Sequence, residues 1–454
     1  MESKLLLYSS YRTPRLDFAA EFIIEELLGL ELIITSSDEE FISYNGAKIN
    51  YSSIDLNSPV QIIPSGLLSE SGIKKQIISI GKWKNIPVFF MTTHKGEIKF
   101  DIFSAAFYLL SRYEEYLPFT PDIHGRFQAT DSLAYRNGFL EIPVINCWAN
   151  QLGDFLRKNY EGLTVTENKF KWINSIDVDT AWAYLNKNIV HTWGSLLKSA
   201  FTGSDFLKRV NVLRGKEQDP FYTFDFLQEL YSEDQEKLIF FFLSGKPGGL
   251  DRNIHPGNKN WQNLVKQLSV KFMTGIHPSV KSYLNTKIIQ EEKHFLESII
   301  AKPIYSSRQH YLKLSFPGTY KNLLETGIKD DYSMGFADKA GFRAGTSSPF
   351  YFYDISDEKK TELKIWPFAF MDRTLSKYMK MDSIKAHDKI SELIDSVHKH
   401  GGVFISLWHN DSLSDYGEWE GWRNVYIDMV MNLKNKEGGN VRELIDSTPK
   451  KEKL

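Results

Sequence analysis

Apolar positions recur along this chain with two periods, and each period predicts an element. Leu5 to Tyr8 reads as a strand, and Glu31 to Thr35 as another. Between them Phe18, Phe22, Ile23, Leu27 and Leu28 fall at helical spacing over Asp17 to Leu30. Asn45-Gly46, flanked by Phe41-Ile42 and Ile49 to Tyr51, predicts a tight hairpin. Ile86 to Met91 reads as a strand. Ile102 to Leu117 and Val144 to Tyr160 read as helices, the first with Phe103, Ala106, Phe107, Leu110 and Tyr113 on one face. The polar stretch Glu161 to Asn168 then interrupts the pattern.

From Phe170 onward short apolar runs alternate with helical periodicity. Strands are expected at Trp172–Ile176, Leu238–Leu243, Val270–Ile276, Tyr305–Ser306, Gly341–Ala344 and Val403–Leu407. Helices are expected at Gln262–Leu268, Thr286–Ile300, Tyr320–Thr326 and Lys385–His400. Such alternation argues for parallel strands joined by helical crossovers, in a sheet or a barrel. The expected organisation is α/β, with a smaller unit over residues 1–168 and a larger one over 169–454. Ala181 to Tyr231, with Lys187, Lys198, Lys208, Arg209, Arg214 and Lys216, reads as a solvated helical flap. The tail Pro449–Leu454 reads as disordered.

Composition changes this picture little. The chain has 454 residues, 42% hydrophobic and 25% charged, which is ordinary for a globular protein. Its net charge of −2 gives no general attraction to nucleic acid or anionic membranes. Cys147 is the one cysteine, so intramolecular disulfides and a cysteine-based zinc cluster are excluded. No run approaches the ~20 apolar residues that span a bilayer, and the N-terminus lacks a signal-peptide pattern, so a cytoplasmic location is expected. The aromatic share of 14% suits either a bulky core or a carbohydrate-facing groove.

The candidate chemistry gathers at expected strand ends. Asp177 and Asp179 are two residues apart in Ser175-Ile176-Asp177-Val178-Asp179, so in a strand they project to one face. Neighbouring carboxylates repel unless a metal, an arginine or a shared proton compensates. His277 precedes the stiffening Pro278. His409 ends the run Ile405-Ser406-Leu407-Trp408, where an imidazole could act as a general acid and Asn410 or Asp411 could orient it. His310 adds a third imidazole, with Arg308 two residues before it. Arg343, between Gly341 and Gly345, either binds an active-site carboxylate or substrate oxygen or sits on a plain turn. Asp331 either buttresses a histidine or is solvated in a loop. His124, close to Asp122 and Arg126, falls in the other unit. His387, His398 and His400 read as helix-end or solvated residues.

In that order, Ser175-Ile176-Asp177-Val178-Asp179, Gly275-Ile276-His277-Pro278-Ser279, Arg308-Gln309-His310-Tyr311, Asp331-Tyr332-Ser333 and Leu407-Trp408-His409 resemble the motifs of the polysaccharide deacetylases. This is the NodB-homology group, carbohydrate esterase family four. The resemblance spans roughly Phe170 to Leu433, and the N-terminal region resembles a companion domain found ahead of some bacterial deacetylase-like domains. It implies a distorted (β/α) barrel of about seven strands with its chemistry at the C-terminal strand ends. It also implies a divalent metal, zinc or a similar ion, and hydrolysis of N-acetyl groups on an amino sugar or polysaccharide precursor. Carried over residue by residue, Asp177 corresponds to the catalytic base and His409 to the histidine that protonates the leaving amine. Asp179 and His277 correspond to metal ligands. Arg308 or Arg343 would hold Asp177 or the sugar, and Tyr311 or Trp408 would stack on a pyranose ring.

One position departs from the family. Its second motif carries another histidine four residues on, where this chain has Lys281. One aspartate and one histidine make a poor metal site. Either His310 supplies the third ligand, or Lys281 stands in the metal's place as a fixed charge. The second case would leave a catalytically inactive carbohydrate-binding or assembly protein on the same scaffold. A glycosidase using Asp177 and Asp179 is disfavoured, because its two carboxylates must flank the scissile bond.

Overall fold

A computed structural model describes residues 3–93, 96–166, 168–187 and 206–438. Lys198, His94, His191 and the tail Pro449–Leu454 lie outside the described residues. Near the N-terminus, β1 (Lys4–Ser9) is flanked in parallel by β2 (Glu31–Thr35) and β3 (Ala47–Tyr51). The hairpin expected at Asn45-Gly46 does not form. Ser37 caps a helix over Asp38–Ser43 instead, and β3 leaves it to run parallel to β1. A two-stranded antiparallel pair follows, β4 (Gly81–Trp83) and β5 (Ile86–Val88). The helix Ile102–Leu110 is capped by buried Asp101, which also accepts from Tyr51 Oη at 2.9 Å and Ser65 N at 2.7 Å. One carboxylate thereby ties the helix start to the small sheet.

The larger sheet contains β6 (Phe170–Val178), β7 (Leu238–Phe242), β8 (Met273–Ile276), β9 (Ser306–Ser307), β10 (Asp330–Asp331), β11 (Phe350–Asp354), β12 (Lys359–Ile365), β13 (Phe370–Met371) and β14 (Gly402–His409). Their order is β11-β12-β10-β9-β8-β7-β6-β14-β13, and every neighbouring pair but β11–β12 is parallel. Asp330 and Asp331, expected in a loop, form β10. Gly341–Ala344, expected as a strand, is a turn. Lys259–Lys271 is helical, so β8 starts three residues after the expected Val270.

The sheet curls into a distorted barrel. Phe368 N, just before β13, donates to Met334 O, just after β10, at 3.1 Å, tying the edge strand β13 back to the far side of the sheet. Side-chain alternation then sorts each strand. Ile239, Phe241, Tyr332, Met371, Val403, Ile405 and Leu407 meet in one inner cluster with Ile173. Trp172, Ile176, Phe240, Phe242, Phe404 and Trp408 face outward into the main core under the crossover helices. Gly275 is required by this interior, because a Cβ there would lie 2.4 Å from the Phe241 ring. The main core continues into the N-terminal region, where Phe18 and Phe107 pack on Tyr353 of β11. Among the described residues, no helix is long and apolar enough to cross a membrane.

Candidate active site

The inward parity of β6 carries past Ile173 and Ser175 to Asp177, and that of β14 carries past Leu407 to His409. The two residues are register partners at the C-terminal mouth of the barrel. His277 follows β8, and Arg308 with His310 follows β9. Asp177, Asp179, His277, His310, Tyr311 and His409 therefore line a single cleft of about 180 Å³. This is smaller than the ~300–1,000 Å³ that encloses a drug-sized ligand, so it suits one inserted group with the rest of the molecule outside.

Every histidine in the cleft is aimed by a partner on Nδ1. His277 Nδ1 meets Arg308 O at 2.5 Å, His310 Nδ1 meets Asp251 Oδ1 at 2.8 Å, and His409 Nδ1 meets Asp372 Oδ1 at 2.8 Å. With Nδ1 donating to these acceptors, Nε2 of each ring faces the cleft. His277 Nε2 and His310 Nε2 lie 3.3 and 3.5 Å from Asp179 Oδ1, which has no hydrogen-bond partner of its own. The donor atoms of Asp179, His277 and His310 all lie within 4.8 Å of one another. Two imidazole nitrogens and an orphaned carboxylate oxygen gathered this closely fit a divalent cation. His310 thus stands where the third ligand was missing. Lys281 does not replace the metal: it is exposed, and Nζ donates outward to Lys246 O at 3.4 Å.

Electrostatics follow from this packing. Burial alone would raise the Asp179 carboxyl, but His310, His277 and His409 outweigh it and hold it well below the usual carboxylate range. Burial disfavours charge on His277, yet Asp177 and Asp179 raise its pKa overall. His409 is likewise raised, with Asp372 overcoming burial and the opposing charge of Arg373. Arg308 is fully buried beneath the cleft, between the rings of Phe241 and Phe368. Its Nη2 donates to Ser175 Oγ at 2.8 Å, and its Nη1 lies 3.7 Å from Asp177 Oδ1.

Three expected contributors stand elsewhere. Trp408 is wholly buried against Phe370, Trp422 and Tyr426, because its parity opposes that of His409, and no sugar can reach it. Arg343 pairs with Glu115 through Nε at 2.9 Å and through Nη2, and donates Nη1 to Gly335 O at 3.0 Å. Arg112 joins the same carboxylate at 2.8 Å. Burial would raise Glu115, but these two guanidiniums lower it. Arg343→Ala is therefore expected to destabilise the protein by about 3 kcal/mol in urea unfolding, the cost of leaving buried Glu114 and Glu115 with Arg112 as their shared cation, while metal affinity stays the same. Asp331, fully buried, accepts from Ser307 Oγ and Ser333 Oγ at 2.9 Å and does not line the cleft.

The sequence reading missed Asp372, Asp251 and Arg373. The imidazole of His409 is oriented by Asp372, not by Asn410 or Asp411. Asp411 instead binds Arg373 Nη2 through both oxygens, at 3.1 and 3.0 Å. Asp372 ends the run Phe368 to Met371, which is a strand-end signal of the kind used for Asp177. Asp251 lies in a loop after Gly248-Gly249 and carries no pattern.

Residues 5–161 match a family model described as a family of unknown function, DUF7033. Among curated proteins none matches the chain. Matching solved structures include a Mycobacterium smegmatis protein described as a polysaccharide deacetylase, with 12% identity, 58% of this chain and 84% of that one covered, and a TM-score of 0.37. A polysaccharide deacetylase from Bacillus cereus matches with 16% identity, 47% and 82% coverage, and a TM-score of 0.28. Puue allantoinase matches with 8% identity, 59% and 90% coverage, and a TM-score of 0.35.

Proposed function

We propose that this protein is a metal-dependent hydrolase that removes an acyl group, acetyl in the simplest case, from the nitrogen of an amino sugar. The observation that carries this reading is the convergence of Asp177, Asp179, His277, His310 and His409, each ring backed on Nδ1, at one barrel mouth. Asp179, His277 and His310 would hold a divalent ion, zinc being the best fit to two imidazoles and a carboxylate. When bound, such an ion supplies Lewis-acid polarisation of the acyl carbonyl and acidifies water in the site.

The chain's own residues do the remaining work. Asp177 lines the cleft with Oδ2 3.7 Å from His277 Nε2, and through that oxygen it takes the proton of the attacking water. Arg308 keeps a positive charge beneath it and fixes its place through Ser175. His409, whose protonated form is favoured by buried Asp372 behind it, gives its Nε2 proton to the departing nitrogen as the C–N bond breaks. The products are a carboxylate and a free amine. Tyr311 stands on the rim as the aromatic surface for the sugar, and Arg308 replaces Arg343 as the orienting arginine.

Acetate release from a panel of N-acetylated hexosamine derivatives tests this reading. Zinc-loaded protein is expected to release acetate, and Asp177→Asn is expected to lose about 10²–10⁴ of the rate while retaining its metal. Equal rates in the two proteins would reject the role given to Asp177.

A further inference from the structure

We propose that the N-terminal region completes the substrate cleft, with Arg126 as a positioning residue that sets Tyr311 and Tyr378 as an aromatic clamp for the sugar ring. This rests on the hydrolase reading above and adds a specificity device to it.

Arg126 lies in the region matched by the family of unknown function, yet it lines the same cleft as Asp177 and His409. Its loop is locally self-sufficient. Asp122 Oδ1 accepts from the backbone N–H groups of His124 and Arg126, both at 2.9 Å, and Asp122 N donates to Arg126 O at 3.0 Å. Gly125 provides the positive φ of 80° that closes the turn. The loop therefore presents the Arg126 side chain in one direction.

That guanidinium reaches three parts of the chain, with Nη2 pairing with Asp122 Oδ2 at 2.7 Å besides its bond to Tyr378. Nε binds Asp122 Oδ2 at 2.8 Å, Nη1 donates to Tyr311 O at 2.8 Å, and Nη2 donates to Tyr378 Oη at 3.2 Å. The side chain is only 8% exposed, so these bonds face little competition from water. What it holds is strained. Tyr311 and Leu312 have φ of 60° and 52°, two consecutive non-glycine residues in the left-handed region, directly after His310. Such backbone persists only where the surroundings over-determine it, and it clusters at ligand clamps. The His124 ring packs on Tyr311, with centroids 4.9 Å apart.

Tyr311 and Tyr378 both line the cleft, and Tyr378 is 43% exposed. Lys377 at the mouth is paired with Glu418, Arg373 with Asp411 and Arg126 with Asp122. With these cations neutralised and two phenol rings on the rim, the cleft suits an uncharged polyhydroxyl ring whose apolar C–H face stacks on an aromatic.

Calorimetric binding of N-acetylhexosamine mono- and disaccharides to zinc-loaded Asp177→Asn protein tests this. Arg126→Ala in that background is expected to weaken disaccharide binding at least tenfold, with zinc content unchanged. Tyr378→Phe removes only the hydroxyl that accepts from Arg126, on an exposed side chain that cannot unfold the protein. It is expected to weaken binding alone, but to add nothing once Arg126 is alanine. A purely structural role for Arg126 would not produce that non-additivity. Unchanged binding in both variants, or fully additive losses, would overturn the clamp and leave the hydrolase reading standing. No sugar binding before Arg126 or Tyr378 is changed would overturn the sugar reading and the clamp together.

Discussion

His310→Ala is expected to lower zinc affinity by at least about 100-fold, measured by competition with a chromophoric chelator. The histidine is one of three candidate donors among the described residues, and two donors rarely hold a divalent ion against water and buffer. The same assay separates ligands from their supports. Asp251→Ala leaves the His310 ring present but unaimed and is expected to cost about 10–100-fold, the usual price of a lost carboxylate behind a histidine ligand. His409→Ala should leave affinity as it is, because Asp372 rather than a metal centre fixes that ring, and His409 Nε2 is 3.7 Å from the far oxygen of Asp179. Equal affinities in the intact protein and His310→Ala would remove His310 from the site and restore the problem posed by Lys281.

His409→Ala should instead lower the rate of acyl release by about 10²–10⁴, the contribution expected of a positioned general acid. Asp372→Asn gives the sharper signature. Burial alone would lower the His409 pKa, and Asp372 raises it above the ordinary value. The charged, donating form then persists to higher pH, and activity falls as pH rises through that raised value. Without the Asp372 charge the imidazolium is lost earlier, so the descending limb of the pH–rate profile should move to lower pH. A limb that stays in place would assign the acid to another group.

Much of this arrangement was legible in the chain because strand alternation propagates. Once Trp172–Ile176 and Val403–Leu407 are strands, Asp177 and His409 inherit the inward face, four residues beyond Ile173 and two beyond Leu407. The same rule, applied to Trp408, would have placed it outside the barrel among the helices, where the structure finds it. What stayed hidden follows from short elements and distant partners. The strands β9, β10 and β13 have two residues each, too few for any period to register, so Asp331 looked like a loop residue. Asn45-Gly46 carries a strong turn signal, but the preceding Ser37 cap and Asp38–Ser43 helix turn the chain into a parallel strand. Arg343 flanked by glycines suggested an exposed ligand hand; only the fold reveals Glu115, 228 positions away, as its partner. Asp251 and Asp372 are second partners of histidines; nothing local marks Asp251, and the strand end before Asp372 marks its position but not the histidine it serves.

The position of a bound cation decides most directly whether Asp179, His277 and His310 form a metal site. Crystals grown with zinc, measured on both sides of its absorption edge, should give an anomalous peak bounded by Asp179, His277 and His310, and the peak should vanish in His310→Ala. Zinc located anywhere else, or an empty barrel mouth at saturating zinc, would contradict that assignment.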